Sequence, residues 1–250
     1  MHVSVPSVVV CQTAHASGLF QLIQNLRLNQ LFNDMYIEKL LSIASPATLA
    51  LAPTNEFQVI EGGCSATLGE LMRMLSTKNG FYAFESALHV LPSTLSTLEM
   101  GGFGFQAWND VSLWRGWYQS LTDGLLFFAE DVFGGQFAIR GNEVVTFDPE
   151  SGDIEVLALS LEGWAEKLLA DYPLLTGYPL AHEWQVTNGP IPIGKRLLPK
   201  TPFVLGGPFQ ESNLYAIDAV QGMRYRGELW EQFRILPDGA QVQLKVLPLQ

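Results

Sequence analysis

Four short apolar segments between residues 125 and 158 constrain this chain more than anything else in it. They span 125–129, 136–139, 143–148 and 153–158, separated by Glu-Asp…Gly-Gly, Arg-Gly-Asn and Pro-Glu-Ser-Gly. Separators this short join antiparallel neighbours, because a parallel return needs a crossover of about a dozen residues or more. Each separator carries the Gly, Asn, Pro or acidic residues that reverse a backbone. The stretch therefore predicts an antiparallel meander, and the meander is the centre of the fold.

Helical patterns flank it. Leu19, Leu22, Ile23 and Leu26, then Ile37, Leu40 and Leu41, recur at three- and four-residue steps. They predict helix over 18–44, broken at Asn33-Asp34. Thr67-Leu68-Gly69-Glu70 fits a capping box for a helix that Asn79-Gly80 ends. FYAFESALHV, residues 81–90, has the aromatic and β-branched content of a strand. Asp110 caps a short helix carrying Val111, Trp114, Trp117, Tyr118 and Leu121, and Ser160 opens another with Leu161, Trp164, Leu168 and Leu169 on one side. Pro173 and Gly177 interrupt the next segment, and helix resumes over 180–186. Residues 190–209 are rich in Pro and Gly and read as loop. A strand over 214–220, a helix over 221–235, a turn at Pro237-Asp238-Gly239 and a last strand over 241–247 complete the chain. Helices at both ends of a meander imply an α+β fold with a central antiparallel or mixed sheet.

Hydrophobic residues make up 48% and charged residues 16% of the 250, a balance that supports a packed core. The 25 acids against 14 bases give a formal charge of −11. Such a surface repels phosphate backbones and attracts basic proteins, so nucleic acid is not an expected partner. Cys11 and Cys64 form neither a CxxC nor a zinc spacing and suggest a reducing compartment. Val8–Val10 is too short for the core of a secretory leader. No segment approaches the roughly 18–20 apolar residues that cross a bilayer. The expectation is a cytoplasmic protein without membrane attachment, metal or cofactor.

Familiar catalytic signatures are incomplete. Gly102-Phe103-Gly104 lacks the third glycine of a dinucleotide loop, and Gly194-Lys195 is followed by Arg196 rather than Ser or Thr. His182-Glu183 opens like a zinc-protease motif, but Val186 replaces the second histidine. Asp148-Pro149-Glu150-Ser151-Gly152 departs from a calcium loop, with Leu159 where the bidentate Glu belongs. His89 and His182 read as structural, Cys64 as a small buried residue, and Trp114 and Trp117 as core residues sharing a helix face.

Two acidic stretches remain. Glu130-Asp131 precedes Val132-Phe133-Gly134-Gly135, which suits either a carboxylate dyad or a hairpin corner. No basic or imidazole side chain adjoins the pair in sequence, so the corner explains more of the residue types. Asp131 accepts backbone N–H bonds across the turn, and Gly134 and Gly135 permit positive φ. The second stretch places Asp148, Glu150, Asp153 and Glu155 around one turn. These four are the candidate partner-binding residues, weighed against a merely solvated turn. No catalytic residue is assigned.

GFYAFESALHVLPS (80–93), LLFFAEDVFGGQFAI with VVTFDPESGDIEVLALSLEGWAEKL (125–168), and LTGYPLAHEWQ with RLLPKTPFVLGG (175–207) together resemble bacterial members of the SUKH superfamily, the Smi/Knr-like proteins. The resemblance runs over residues 60–247; 56–250 reads as the SUKH-like domain and 1–55 as an N-terminal helical extension of it. What it implies is a non-enzymatic α+β domain. Many bacterial members are immunity proteins that neutralise a cognate toxin of a type VI or contact-dependent secretion system. A basic toxin would complement the acidic surface. The alternatives are a carboxylate-dependent enzyme on a small or carbohydrate substrate, and a regulatory scaffold.

Overall fold

The computed structural model describes residues 35–50, 65–93 and 102–236. The expected helix before residue 35, both cysteines, the turn at 237–239 and the last strand lie outside the described residues. The described residues from Tyr36 onward belong to one compact unit.

The fold is α+β. Six strands pair antiparallel in chain order: β1 (Phe81–Ala83), β2 (Leu88–Val90), β3 (Leu126–Asp131), β4 (Gln136–Arg140), β5 (Glu143–Phe147) and β6 (Ile154–Ala158). The four meander strands lie within two residues of their expected limits. A two-stranded sheet, β7 (Lys195–Pro199) and β8 (Leu214–Asp218), stands apart. The described helices are α1 (Met35–Ile43), α2 (Ala66–Thr77), α3 (Phe105–Trp108), α4 (Leu161–Ala170), α5 (Tyr172–Thr176), α6 (Tyr178–Asn188) and α7 (Ala219–Phe233), with a 3-10 helix at Arg115–Thr122.

The apolar run of β3 shows no alternation because both sheet faces are covered. Phe127 meets Trp114 at 5.0 Å between ring centres, and its neighbour Phe128 meets Trp164 of α4 at 5.1 Å. Successive side chains of a strand point to opposite faces, so these two contacts lie on the two sides of the sheet. Ile37 and Leu40 of α1 join the same core. Trp114 is fully buried while Trp117 is 38% exposed, so they do not share a face. Trp114 stands before the 3-10 helix at φ −152°, ψ −25°, off the helical path. Asp110 accepts bonds from the amide and hydroxyl of Ser112, which makes a tight turn and no helix cap.

Other expectations also change. FYAFESALHV is a hairpin, β1 and β2, not one strand. Phe84, Glu85 and Ser86 turn with φ of 52°, 52° and 67°, and none is a glycine. The turn is fixed from outside. Phe84 stacks on Tyr172 at 4.6 Å, the Glu85 carboxylate meets His182 Nδ1 at 2.7 Å, and the Glu85 carbonyl accepts from Gln185 Nε2 at 2.9 Å. The cap of α2 is Ser65, which accepts from the Leu68 amide, not Thr67. Glu70 reaches across to accept from the Leu161 amide at the start of α4, beside the expected Ser160 cap. Residues 195–199, read as loop, form β7.

Candidate functional site

In a meander, the β3–β4 and β5–β6 turns come out at the same end of the sheet. That topology brings the two acidic stretches together. The Gln136–Phe147 register sets the first residue of β4 beside the last of β5, directly under both corners.

The first corner splits its two acids between different tasks. Asp131 Oδ1 accepts from the amides of Phe133 and Gly135, both at 2.8 Å. Gly134 has φ +83°; Gly135 does not have positive φ, but a Cβ there would sit 2.4 Å from Asp131 Oδ2. The two glycines are thus needed for different reasons. A Cβ at Gly134 would also press on Arg226 Nη1 at 3.0 Å. Gly134→Ala is expected to cost about 1–2 kcal/mol, and Gly134→Asn, which meets the same contact but tolerates a left-handed backbone, less. Gly135→Ala and Gly135→Asn should cost alike, because the collision lies at Cβ. Urea denaturation of the four variants checks this, and rescue of Gly135 by Asn would rule out the steric account.

Glu130 faces the other way into a closed polar cluster. Register places it opposite His89 on β2 and Gln136 on β4. His89 Nδ1 lies 3.0 Å from Oε1, and Gln136 Nε2 lies 3.4 Å from Oε2. Arg196 Nε comes within 2.9 Å of Oε1, off the N–H direction, which makes it a charge contact more than an aligned hydrogen bond. Tyr82 stacks on His89 at 4.3 Å and lies beneath the Arg196 guanidinium at 5.5 Å. Burial alone would raise the Glu130 carboxyl, but Arg196 and the His89 bond outweigh it and hold it at about 2. Burial pushes the His89 imidazole down against the pull of Glu130. His89 therefore stands neutral, with its proton on Nδ1, and its Nε2 is buried without a partner. The pair read from sequence as lacking basic or imidazole neighbours has both, supplied from β2 and β7. His182 is also paired, but on the surface, with Glu85.

The second corner is organised by Asp148, whose Oδ1 accepts from the Glu150 amide at 2.7 Å. The Tyr118 hydroxyl, fully buried, donates to the Pro149 carbonyl at 2.9 Å and ties the corner down. Glu150 Oε2 accepts from the Val204 amide at 3.2 Å, linking the corner to the loop between β7 and β8. Burial raises the Glu150 carboxyl, opposed by Arg226 and that amide.

Between the corners lies a cavity of about 370 Å³. Asp131, Asp148, Glu150, Asp153 and Glu155 all line it, as do Phe133, Phe203 and Phe209. All four acids expected to meet a partner thus border one cavity with the turn residues Asp131 and Gly135; Gly134 is not in its lining. Among the described residues, no group of three or more His, Cys, Asp or Glu is placed to hold a metal ion, so the carboxylates surround the space without converging on a point. Burial raises the Asp131 carboxyl to about 7, against the Gly135 and Phe133 amides and the charge of Arg226. The cations Arg196 and Arg226 were not singled out by motif. Their signal is a basic residue at a position of the apolar pattern: Arg196, after Lys195 and before Leu197-Leu198, and Arg226, three residues after Met223 on the buried face of α7.

No family model matches the chain, and no curated protein matches it. Among solved structures it is similar to the crystal structure of Atu4351 from Agrobacterium tumefaciens. That similarity has 10% identity and a TM-score of 0.46, over 64% of this chain and 75% of the other. A likeness at that level carries no argument about function. No described helix is long and apolar enough to cross a membrane.

Proposed function

We propose that this chain is a non-enzymatic protein-binding domain that acts in the cytoplasm as an immunity protein, neutralising a cognate secreted toxin. The observation that carries the reading is the cavity where both acidic corners meet around aromatic side chains. Charge complementarity of this kind speeds association and selects a basic partner. The SUKH-like motifs and the −11 charge support it. The test is co-expression with the product of a neighbouring secreted-toxin gene. Growth should be rescued, and the association rate of the purified pair should fall as salt rises. Charge reversal at Glu150 and Asp153 should slow association several-fold. A salt-independent rate, or no rescue from any neighbouring toxin, counts against the reading.

A second reading has its own observation. A carboxyl raised to about 7 beside another raised carboxyl in a cavity is the setting of acid/base chemistry. It predicts turnover of a glycoside or ester that Asp131→Asn or Glu150→Gln abolishes without loss of folding. Against it, Asp131 and Asp148 each spend an oxygen on amides of their own turns, and Glu150 spends one on the Val204 amide.

A further inference from the structure

The cavity between the corners holds one cation, Arg226, and its bonding is incomplete. Arg226 is 3% exposed. Its Nη2 donates to the Phe133 carbonyl, its Nε is buried without a partner, and no ion pair among the described residues includes it. A buried guanidinium left short of acceptors is costly, and one that lines a cavity points to an acceptor arriving from outside. The five surrounding carboxylates repel an anionic acceptor, so a neutral carbonyl fits better. At the mouth, Phe209 is 66% exposed and stacks on Phe203 at 4.0 Å. An exposed ring beside carboxylates suits the stem and head of a long basic side chain. A second copy of this chain carries the same −11 and is repelled.

We propose that the cavity seats a basic peptide segment of a protein partner: one lysine or arginine side chain lies on Phe209 with its charge among Glu150, Asp153 and Glu155, and a main-chain carbonyl of the same segment accepts from Arg226. This rests on the protein-binding reading and adds to it the seat and the chemistry of the occupant.

The probe is a blocked, dye-labelled octapeptide alternating Lys and Gly, titrated by fluorescence anisotropy into the full chain. Its Gln-for-Lys version and spermine, a polycation without carbonyls, serve as comparisons. The Lys peptide should bind saturably, at least ten-fold tighter than spermine or the Gln peptide. Phe209→Ala and the double variant Glu150→Gln/Asp153→Asn should each weaken it at least five-fold with unchanged melting. Glu183→Gln, an exposed acid on α6 outside the cavity lining, should leave it unchanged. Equal binding of spermine, equal loss in Glu183→Gln, or no saturable binding overturns the proposal. Toxin neutralisation by the same variants separates the two ideas. Neutralisation that survives the cavity variants keeps the immunity reading and removes the seat. Peptide binding that maps to the cavity without any neutralised toxin keeps the seat and removes the immunity reading.

Discussion

Glu130→Gln is expected to lower stability by about 3–5 kcal/mol, although it changes one oxygen to an amide. Sequence alone suggests a mild effect, because Gln keeps the shape of Glu. The surroundings decide otherwise. Glu130, His89 and Arg196 are 2%, 3% and 3% exposed, so the carboxylate is the counter-charge of a guanidinium that water does not reach. The amide removes that charge and leaves Arg196 uncompensated, with Nη2 already lacking a partner. Its new NH2 also faces donors. Removing one member of a buried pair is far costlier than removing both. Glu130→Gln/Arg196→Met should therefore be more stable than Glu130→Gln alone. Urea unfolding of both at neutral pH checks this. A double variant no better than the single one would mean that the ion pair is not what holds this end of the sheet.

The same residue marks how far the sequence could be read. The meander was legible because each turn carries its own chemistry: Asp131 with two glycines, Arg140-Gly141-Asn142, and Asp148 through Gly152. Local bonds make those turns, and local bonds arise from neighbouring residues. The β1–β2 reversal was not legible, because Phe84, Glu85 and Ser86 are held left-handed by α5 and α6, about 90 to 100 positions away. The cap of α2 was misplaced by two residues for a related reason. Glu70 suits a local box, yet its carboxylate is drawn to the amide of Leu161, which at the start of α4 has no intrahelical acceptor. Strand β7 hides between prolines and glycines, and its pairing partner β8 begins fifteen residues after it ends. At the candidate site, all the acids were visible as turn residues. What brought them together was the parity of the hairpins, and what charged the surroundings was two arginines from distant elements.

Asp131→Asn should separate the stability curves of variant and wild type by an amount that grows with pH. Asn keeps the oxygen that accepts from Phe133 and Gly135 and removes the ionisation. Burial holds the wild-type carboxyl at about 7, against about 4 in an unfolded chain. Between those values the folded state keeps a proton that the unfolded state has released. The contribution of Asp131 to stability therefore falls as pH rises through that window, by on the order of 3–4 kcal/mol at roughly 1.4 kcal/mol per pH unit. His89 works in the opposite direction. Its folded imidazole resists protonation, so its contribution is full above about 6.5 and is lost as pH falls below that. Glu130, held at about 2, contributes fully above about 4.5 and loses this as pH falls towards 2. In wild type the first two effects oppose one another between pH 4 and 7. In Asp131→Asn the His89 limb is still opposed by the raised Glu150 carboxyl, so stability should fall less with rising pH across the window than in wild type. Urea unfolding at pH 4, 5.5 and 7.5 reads the difference directly. It should be near zero at the lowest pH and on the order of 3 kcal/mol at the highest. A difference that stays constant would show that Asp131 titrates alike in the folded and unfolded chain, with its two amide donors and Arg226 offsetting burial. Asp131 would then be ionised at pH 5.5 as at 7.5, and would not itself weaken the attraction of a basic partner between those values.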